Sequence, residues 1–326
     1  MIPLAAAIAA AIMSWLICAA IKTNAQKWRL VDIPNVRSSH VLPTPRGGGL
    51  GIVVAFYVAV IVLVAGGGKG ATSLLLLLPA LPIALLGFID DFKPLGVRLR
   101  LLVQLACATA IVLLAGRDFS GGPISWLVTV VALGYVAWLI NLYNFMDGID
   151  GIAVTEAMTV LAGAVMISWW HSGHIENYGW LLLLAACGGF LLWNWSPAKL
   201  FMGDVGSTFL GAVLAAWSLD SSSVPLASWL ILMAAFIADA SYTLVRRGRQ
   251  REPVWQAHRS HLYQQLAQRW HSHARVCRVL ILVNLCWLLP LAGVAAYLGA
   301  TGSVAAQYVV VMIAYLPLVL VAYTMT

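Results

Sequence analysis

Charge is scarce in this sequence. Only 10% of its 326 residues are Asp, Glu, Lys or Arg, against 62% hydrophobic, which leaves too little polar surface to coat a water-soluble globule. Cysteine is scarce too. The five that exist (Cys18, Cys107, Cys187, Cys277, Cys286) sit in or beside apolar stretches with no CxxC pair, so they read as small apolar residues and offer neither a disulfide framework nor a zinc site. Ten-residue segments of alternating polarity are nearly missing, which excludes a transmembrane β-barrel.

What is present is a series of long apolar runs, each near the length needed to cross about 30 Å of hydrocarbon as a helix. They fall at about 2–21, 48–66, 72–89, 99–116, 124–143, 152–170, 178–195, 207–219, 225–245, 277–298 and 304–324, the one at 207–219 being short. Backbone groups in lipid must be satisfied within the segment, so these runs predict helices. The expected fold class is all-α: a polytopic transmembrane helical bundle of about 11 spans, with residues 1–326 forming one integral membrane domain.

Basic residues set the orientation. With eleven spans, 17 of the 19 Lys and Arg fall in one set of loops, and only Lys69 and Arg117 fall in the other. The rich side is read as cytoplasmic, which puts the N-terminus outside and the C-terminus inside. The first run lacks a positive n-region and its charges follow it, as expected of an uncleaved signal anchor. Loops 22–47, 90–98, 144–151, 196–206 and 246–276 are then the cytoplasmic ones.

Of only twelve acidic residues, nine (Asp32, Asp90, Asp91, Asp147, Asp150, Glu156, Asp204, Asp239, Glu252) map to that side or to helix ends facing it. Five are packed into three short stretches, GFIDDFK, NFMDGIDG and FMGDVGS. A carboxylate at the centre of a membrane helix costs about 2.5 to 3.5 kcal/mol, so several together imply a shared countercharge. A divalent cation fits. Magnesium takes one or two carboxylates together with phosphate oxygens and water.

Each stretch also admits a plainer reading. Asp90 and Asp91 could end a helix at the interface. Asp147 and Asp150 lie among Gly148 and Gly151, which suits either a helix-terminating turn or a turn in which backbone approaches a ligand. Asp204 could serve as the N-cap of the following helix as well as a metal ligand. RGGGLG at 46–51 opens a helix whose free N–H groups, with Arg46, could bind phosphate, although glycines also allow close helix packing. The longest cytoplasmic loop, RRGRQREPVWQAHRSHLYQQLAQRWHSHARVCR, holds eight arginines and four histidines. His258, Arg259 and His261 read there as phosphate ligands, His271 and His273 as solvated surface, and the arginines also as attractants for anionic lipid.

Taken in order, VDIPNVRSSH (31–40), PTPRGGG (43–49), FIDDFKPLGVRLRLLVQ (88–104), NLYNFMDGIDG (141–151), NWSPAKLFMGDVGS (194–207) and AHRSHLYQQL (257–266) resemble the polyprenyl-phosphate N-acetylhexosamine-1-phosphate transferases, the family of WecA, TagO and MraY. The likeness covers essentially the whole membrane core. HRSHLYQ departs from the HxHH pattern common in the family. It is similar to the O-antigen-initiating branch of WbpL and WbcO, with His261 as the matching histidine.

The resemblance implies a reaction in which a UDP-N-acetylhexosamine gives its sugar 1-phosphate to undecaprenyl phosphate, releasing UMP, with Mg2+ as cofactor and Mn2+ as a substitute. By position it implies Asp204 for the metal and Asp90, supported by Asp91, at the acceptor phosphate. Asn144, Asp147, Asp150 and Asn194 would surround the nucleotide and sugar phosphate, Phe201 would stack on uracil, and His258, Arg259 and His261, with Arg46 and His40, would hold phosphate. His261, Asp90 and Asp91 make up the expected catalytic set. Expected partners are the UDP-sugar, undecaprenyl phosphate and membrane lipid, with a homodimer admitted and no nucleic acid; the expected location is the bacterial inner membrane. Two rivals remain. A cation-coupled transporter also uses intramembrane carboxylates, but near the midplane on broken helices and often in repeated halves, whereas these sit at helix ends with no repeat visible. A non-catalytic scaffold would leave the acidic and histidine clusters without a purpose.

Overall fold

The computed structural model describes residues 2–34, 42–67, 75–116, 122–220, 224–252 and 259–325; His40 and His258 lie outside them. The regular structure of the described residues is helical, apart from a ribbon in which the two-residue strands β1 (Val31–Asp32) and β2 (Thr44–Pro45) pair antiparallel. The helices are α1 (Ile2–Asn24), α2 (Gly49–Ala65), α3 (Ala80–Phe92), α4 (Val97–Leu114), α5 (Pro123–Met146), α6 (Ile152–Ser172) and α7 (Tyr178–Asn194). They continue with α8 (Asp204–Leu219), α9 (Leu226–Leu232), α10 (Ala234–Arg249), α11 (Leu262–Trp270), α12 (His273–Val283), α13 (Leu289–Ala300) and α14 (Val304–Met325). A π-helical turn, Asn284–Leu288, joins α12 to α13.

Seven helical stretches among the described residues are long and apolar enough to cross a membrane, one of them running unbroken from His273 to Ala300. Three shorter apolar helices, α2, α7 and α8, accompany them. Local chemistry marks their ends. α6 begins after Gly151 and stops at Gly173, both in the left-handed region (φ 77° and 72°). Asn177 caps α7 by accepting from Gly179 N at 2.9 Å. The protein is a multi-pass helical membrane protein.

The run at 225–245 differs from expectation. It is not one straight span but two helices, α9 and α10, bent by 73° at Met233. A hydrophobic pattern records which residues avoid water and carries little information about direction. At the π turn, buried Asn284 donates from Nδ2 to Glu156 Oε2 (2.6 Å) and Thr159 Oγ1 (2.7 Å). Glu156, in the second turn of α6, is fully buried there.

The centre of the bundle is α8, whose residues from Val205 to Ser218 are all buried. It packs on α3, α5 and α2. Two close approaches require glycine. A Cβ on Gly49 would stand 2.3 Å from Gly206 Cα, and one on Gly87 would stand 2.4 Å from the Asp204 carbonyl oxygen. These contacts bring the starts of α2 and α8 and the end of α3 together.

Candidate functional site

The acidic stretches converge on the first turn of α8. Asp91, 2% exposed, accepts from Asp204 N (3.1 Å, Oδ1) and Val205 N (3.3 Å, Oδ2), so the residue that caps α8 comes from α3. This corrects the reading of Asp204 as its own helix cap. Gly203 (φ 75°) precedes it, and a Cβ there would meet the Asp91 carboxylate at 2.4 Å. Freed from capping, the Asp204 side chain faces outward: Asn144 Nδ2 donates to its Oδ1 at 2.8 Å, and Arg100 Nη1 stands 3.8 Å from its Oδ2.

Asp90 points the other way from its neighbour. It accepts from Arg100 Nη1 at 3.0 Å and from Leu95 N, and its carboxylate lies within hydrogen-bonding reach of that of Asp204. Arg46 Nη2 donates to the Asp91 carbonyl, and Arg46 Nε is buried with no hydrogen-bond partner among the described residues. Burial, and then the negative charges of Asp204, Asp91 and Asp150, push the Asp147 carboxyl well above the ordinary range. Three carboxylates (Asp90, Asp91, Asp204) thus share two guanidinium groups, those of Arg46 and Arg100, with the Asp147 carboxyl close by. Among the described residues no three His, Cys, Asp or Glu form a ready-made metal cage. The adjoining Asp90 and Asp204 carboxylates, short of positive charge and partly open, nevertheless fit a magnesium ion that takes its remaining ligands from substrate phosphates and water.

The glycines of RGGGLG do not form a phosphate cradle. Gly48 N and Gly49 N donate to Phe201 O (2.9 Å) and Met202 O (2.8 Å), while Leu50 N and Gly51 N donate to Gly47 O and Gly48 O. All four N–H groups that a helix start leaves open are therefore used. With Phe201 N donating to Pro45 O (2.8 Å), they stitch this segment to the loop before α8.

The long basic loop is fastened by an acidic residue of α10 and reaches the NFMDG turn through Tyr263. Asp239 accepts from Leu262 N (2.9 Å) and Tyr263 N (3.0 Å), capping α11, and His261 Nδ1 lies 3.4 Å from its Oδ1. His261 is 2% exposed, with its ring stacked on Tyr263, so the structure places it in a buried fastening beside Asp239. Tyr263 Oη donates to Phe145 O at 2.9 Å. Gly148 is glycine because a Cβ would lie 2.2 Å from that hydroxyl, so the backbone there approaches a tyrosine and not a ligand. Asn194 is also spent on backbone: its Oδ1 accepts from Gly151 N (3.0 Å) and its Nδ2 donates to Leu200 O (3.0 Å).

Beside this framework opens a cavity of about 600 Å³, lined among others by Asp150, Ser196, Phe201, Arg259, Gln264 and His273. Gln264 Oε1 is buried with no hydrogen-bond partner among the described residues. Burial alone would raise the Asp150 carboxyl, but His273, Ala198 N (3.2 Å) and Ser196 outweigh it and hold the group below its ordinary value. His273 is therefore not the solvated surface residue its sequence context implied; it is 19% exposed, with Nδ1 3.2 Å from Asp150 Oδ2. The chain from Phe201 to Asp204 links the cavity to the acidic cluster.

Arg100, Asp239, Tyr263 and His273 are the residues of this site that sequence reasoning passed over. Arg100 carried a signal, since it stands in a helix start (GVRLRLL) ten residues after Asp90. His273 carried none beyond being a histidine in a basic loop.

The glycosyl transferase family 4 profile matches residues 73–222. The chain is 28% identical over 285 residues to a probable undecaprenyl-phosphate N-acetylglucosaminyl 1-phosphate transferase of Bacillus subtilis, covering 81% of this chain and 77% of that protein. It is 28% identical over 313 residues to the decaprenyl-phosphate N-acetylglucosaminephosphotransferase of Mycobacterium tuberculosis, covering 84% and 78%. To the phospho-N-acetylmuramoyl-pentapeptide-transferase of Frankia casuarinae it is 31% identical over 232 residues, covering 56% and 65%.

Proposed function

We propose that this chain, which belongs to the polyprenyl-phosphate N-acetylhexosamine-1-phosphate transferase family, transfers an N-acetylhexosamine 1-phosphate from a UDP-sugar to undecaprenyl phosphate at the cytoplasmic face of a bacterial inner membrane. The observation that carries this reading is the junction of two unlike sites. A cavity large enough for a nucleotide, with an aromatic and a carboxylate in its wall, is joined through the short chain from Phe201 to Asp204 to a carboxylate–arginine cluster at the end of an apolar bundle.

In this reading an oxygen of the lipid phosphate attacks the sugar-linked phosphorus of the UDP-sugar. The bond from that phosphorus to the bridging oxygen breaks, and UMP leaves with that oxygen. Several negative charges must be brought together, so catalysis rests on positioning and neutralisation. Arg100, already paired with Asp90 and close to Asp204, offers a guanidinium to the incoming phosphate. Asp90 keeps that guanidinium oriented and can take the acceptor's proton. Asn144 fixes the rotamer of Asp204, and Asp91 fixes the backbone from which Asp204 projects. Magnesium bound at Asp204, with Asp90 in reach, would supply charge neutralisation on the diphosphate. Phe201 gives the cavity a face for a base, and Arg259 gives it a positive charge.

The name of the Bacillus relative points to N-acetylglucosamine as a sugar to test first. The HRSHLYQ string supports initiation of O-antigen or a related cell-envelope polysaccharide, where the sugar differs from N-acetylglucosamine by a hydroxyl or its orientation. The test is a panel of UDP-N-acetylhexosamines offered with undecaprenyl phosphate to purified protein, with mass spectrometry of the lipid. One sugar should give a lipid diphosphosugar well ahead of the rest; no product from any of them would overturn the proposal.

A further inference from the structure

α12 grips Asp150 at two points. His273 and Cys277, one helical turn apart and hence on one face, meet it together: the imidazole Nδ1 lies 3.2 Å from Oδ2, and the thiol donates to the Asp150 carbonyl oxygen at 3.2 Å. Ala198 N donates to the same oxygen, Oδ2, at 3.2 Å. The next residue, Gly151, is tied by its N–H to Asn194.

A latch between helices would explain the thiol contact, but not why the imidazole and the carboxylate both line the 600 Å³ cavity. Both are mostly buried, at 19% and 12% exposure, and both still border that space. The second polar contact of the ring, from Asp150 N to Nδ1 at 3.4 Å, is longer than the one to the carboxylate. With its proton on Nδ1 the ring donates to Oδ2, and the approach of Asp150 N to the same nitrogen is then a contact and not a hydrogen bond.

We propose that His273 is a positioning residue for the donor nucleotide: it fixes Asp150 so that the carboxylate meets a ligand in the cavity as an oriented hydrogen-bond acceptor. This rests on the nucleotide reading above and deepens it. An acceptor held by donors on its protein side selects a ligand that presents a donor. The imide N–H of uracil is one, whereas the corresponding ring nitrogen of cytosine is an acceptor. Removing His273 releases Asp150 to other rotamers, so binding weakens and discrimination falls while the acceptor-lipid side is untouched.

The experiment measures UMP and CMP binding to full-length wild-type, His273→Ala, His273→Asn and His273→Gln proteins in detergent, with melting temperature read alongside. Asparagine brings its amide nitrogen near the Nδ1 position, whereas glutamine carries it to the more distant Nε2 position. UMP should bind His273→Ala and His273→Gln roughly tenfold more weakly than wild type, the loss of one charge-assisted hydrogen bond. His273→Asn should recover most of the affinity, and the preference for UMP over CMP should shrink in the first two. In turnover, KM for the UDP-sugar should rise with kcat and the KM for lipid nearly unchanged. If His273→Ala fails to fold, the asparagine and glutamine variants carry the comparison, and equal UMP binding by those two overturns the proposal. Wild-type protein that binds UMP while His273→Ala binds it equally well overturns this inference alone. Wild-type protein that binds no UMP overturns the nucleotide reading and this inference with it.

Discussion

The adjacent carboxylates of GFIDDFK have different jobs in the structure, and replacing each by asparagine should separate them. Asp91 is 2% exposed and accepts two backbone N–H groups at the start of α8. Asp91→Asn keeps one acceptor oxygen and turns an amide NH2 toward the other N–H. One buried donor is orphaned, which costs about 1 to 3 kcal/mol. For a chain of this order the corresponding fall in Tm is roughly 2 to 10 °C. Asp90 is 11% exposed at its side chain, and its partner Arg100 is 37% exposed, so solvent screens that pair. Asp90→Asn should cost less than about 1 kcal/mol of stability. Its effect should fall on turnover, because the residue borders Arg100 and Asp204. Tryptophan fluorescence during a thermal ramp reads the first quantity, with 14 tryptophans as reporters; UMP release reads the second. Asp90→Asn should retain the wild-type Tm and lose most activity, whereas Asp91→Asn should lose both. Equal falls in Tm, or a fall confined to Asp90→Asn, would refute the assignment of the cap to Asp91.

Three further outcomes follow from the same geometry. Asp204→Asn should reduce turnover by roughly a hundredfold or more and blunt its Mg2+ dependence while the protein stays folded, since the Asn144 contact can persist; wild-type rates would remove Asp204 from the centre. His261→Ala should lower both activity and Tm, because His261 is buried beside the Asp239 that caps α11, and a wild-type Tm in that variant would mean that this fastening does not hold the site. Labelled UMP should not exchange into the UDP-sugar when verified lipid-free protein is used, because direct attack by the lipid phosphate leaves no phosphosugar-enzyme intermediate; exchange near the turnover rate would reveal a covalent aspartate.

The sequence makes the helices, and the stretches that meet, readable because both are written in composition: apolar runs must lie in lipid, and carboxylates in such a chain need a common reason. It does not tell Asp90 from Asp91, since which of two neighbours turns inward depends on where α8 begins relative to α3. The same applies to the glycines. RGGGLG looks like an anion cradle, but it is a contact surface, because Gly49 has Gly206 against it and its N–H groups are used by Phe201 and Met202. Asn194 looks like a ligand-binding amide until the backbone of Gly151 and Leu200 takes both its ends. His273 and Asp239 act across 123 and 23 residues of sequence to reach Asp150 and Leu262, and no local pattern encodes such pairings. The bend at Met233 likewise depends on what the helix meets.

The central claim, that one site joins a nucleotide sugar to a lipid phosphate, is tested most directly by counting products. Purified wild-type protein is given a UDP-N-acetylhexosamine that it accepts, Mg2+ and undecaprenyl phosphate, and both UMP and the lipid diphosphosugar are quantified over time. The account predicts that they appear in equal amounts and that neither forms when the lipid is left out. UMP released without lipid, or lipid product without UMP, would contradict it.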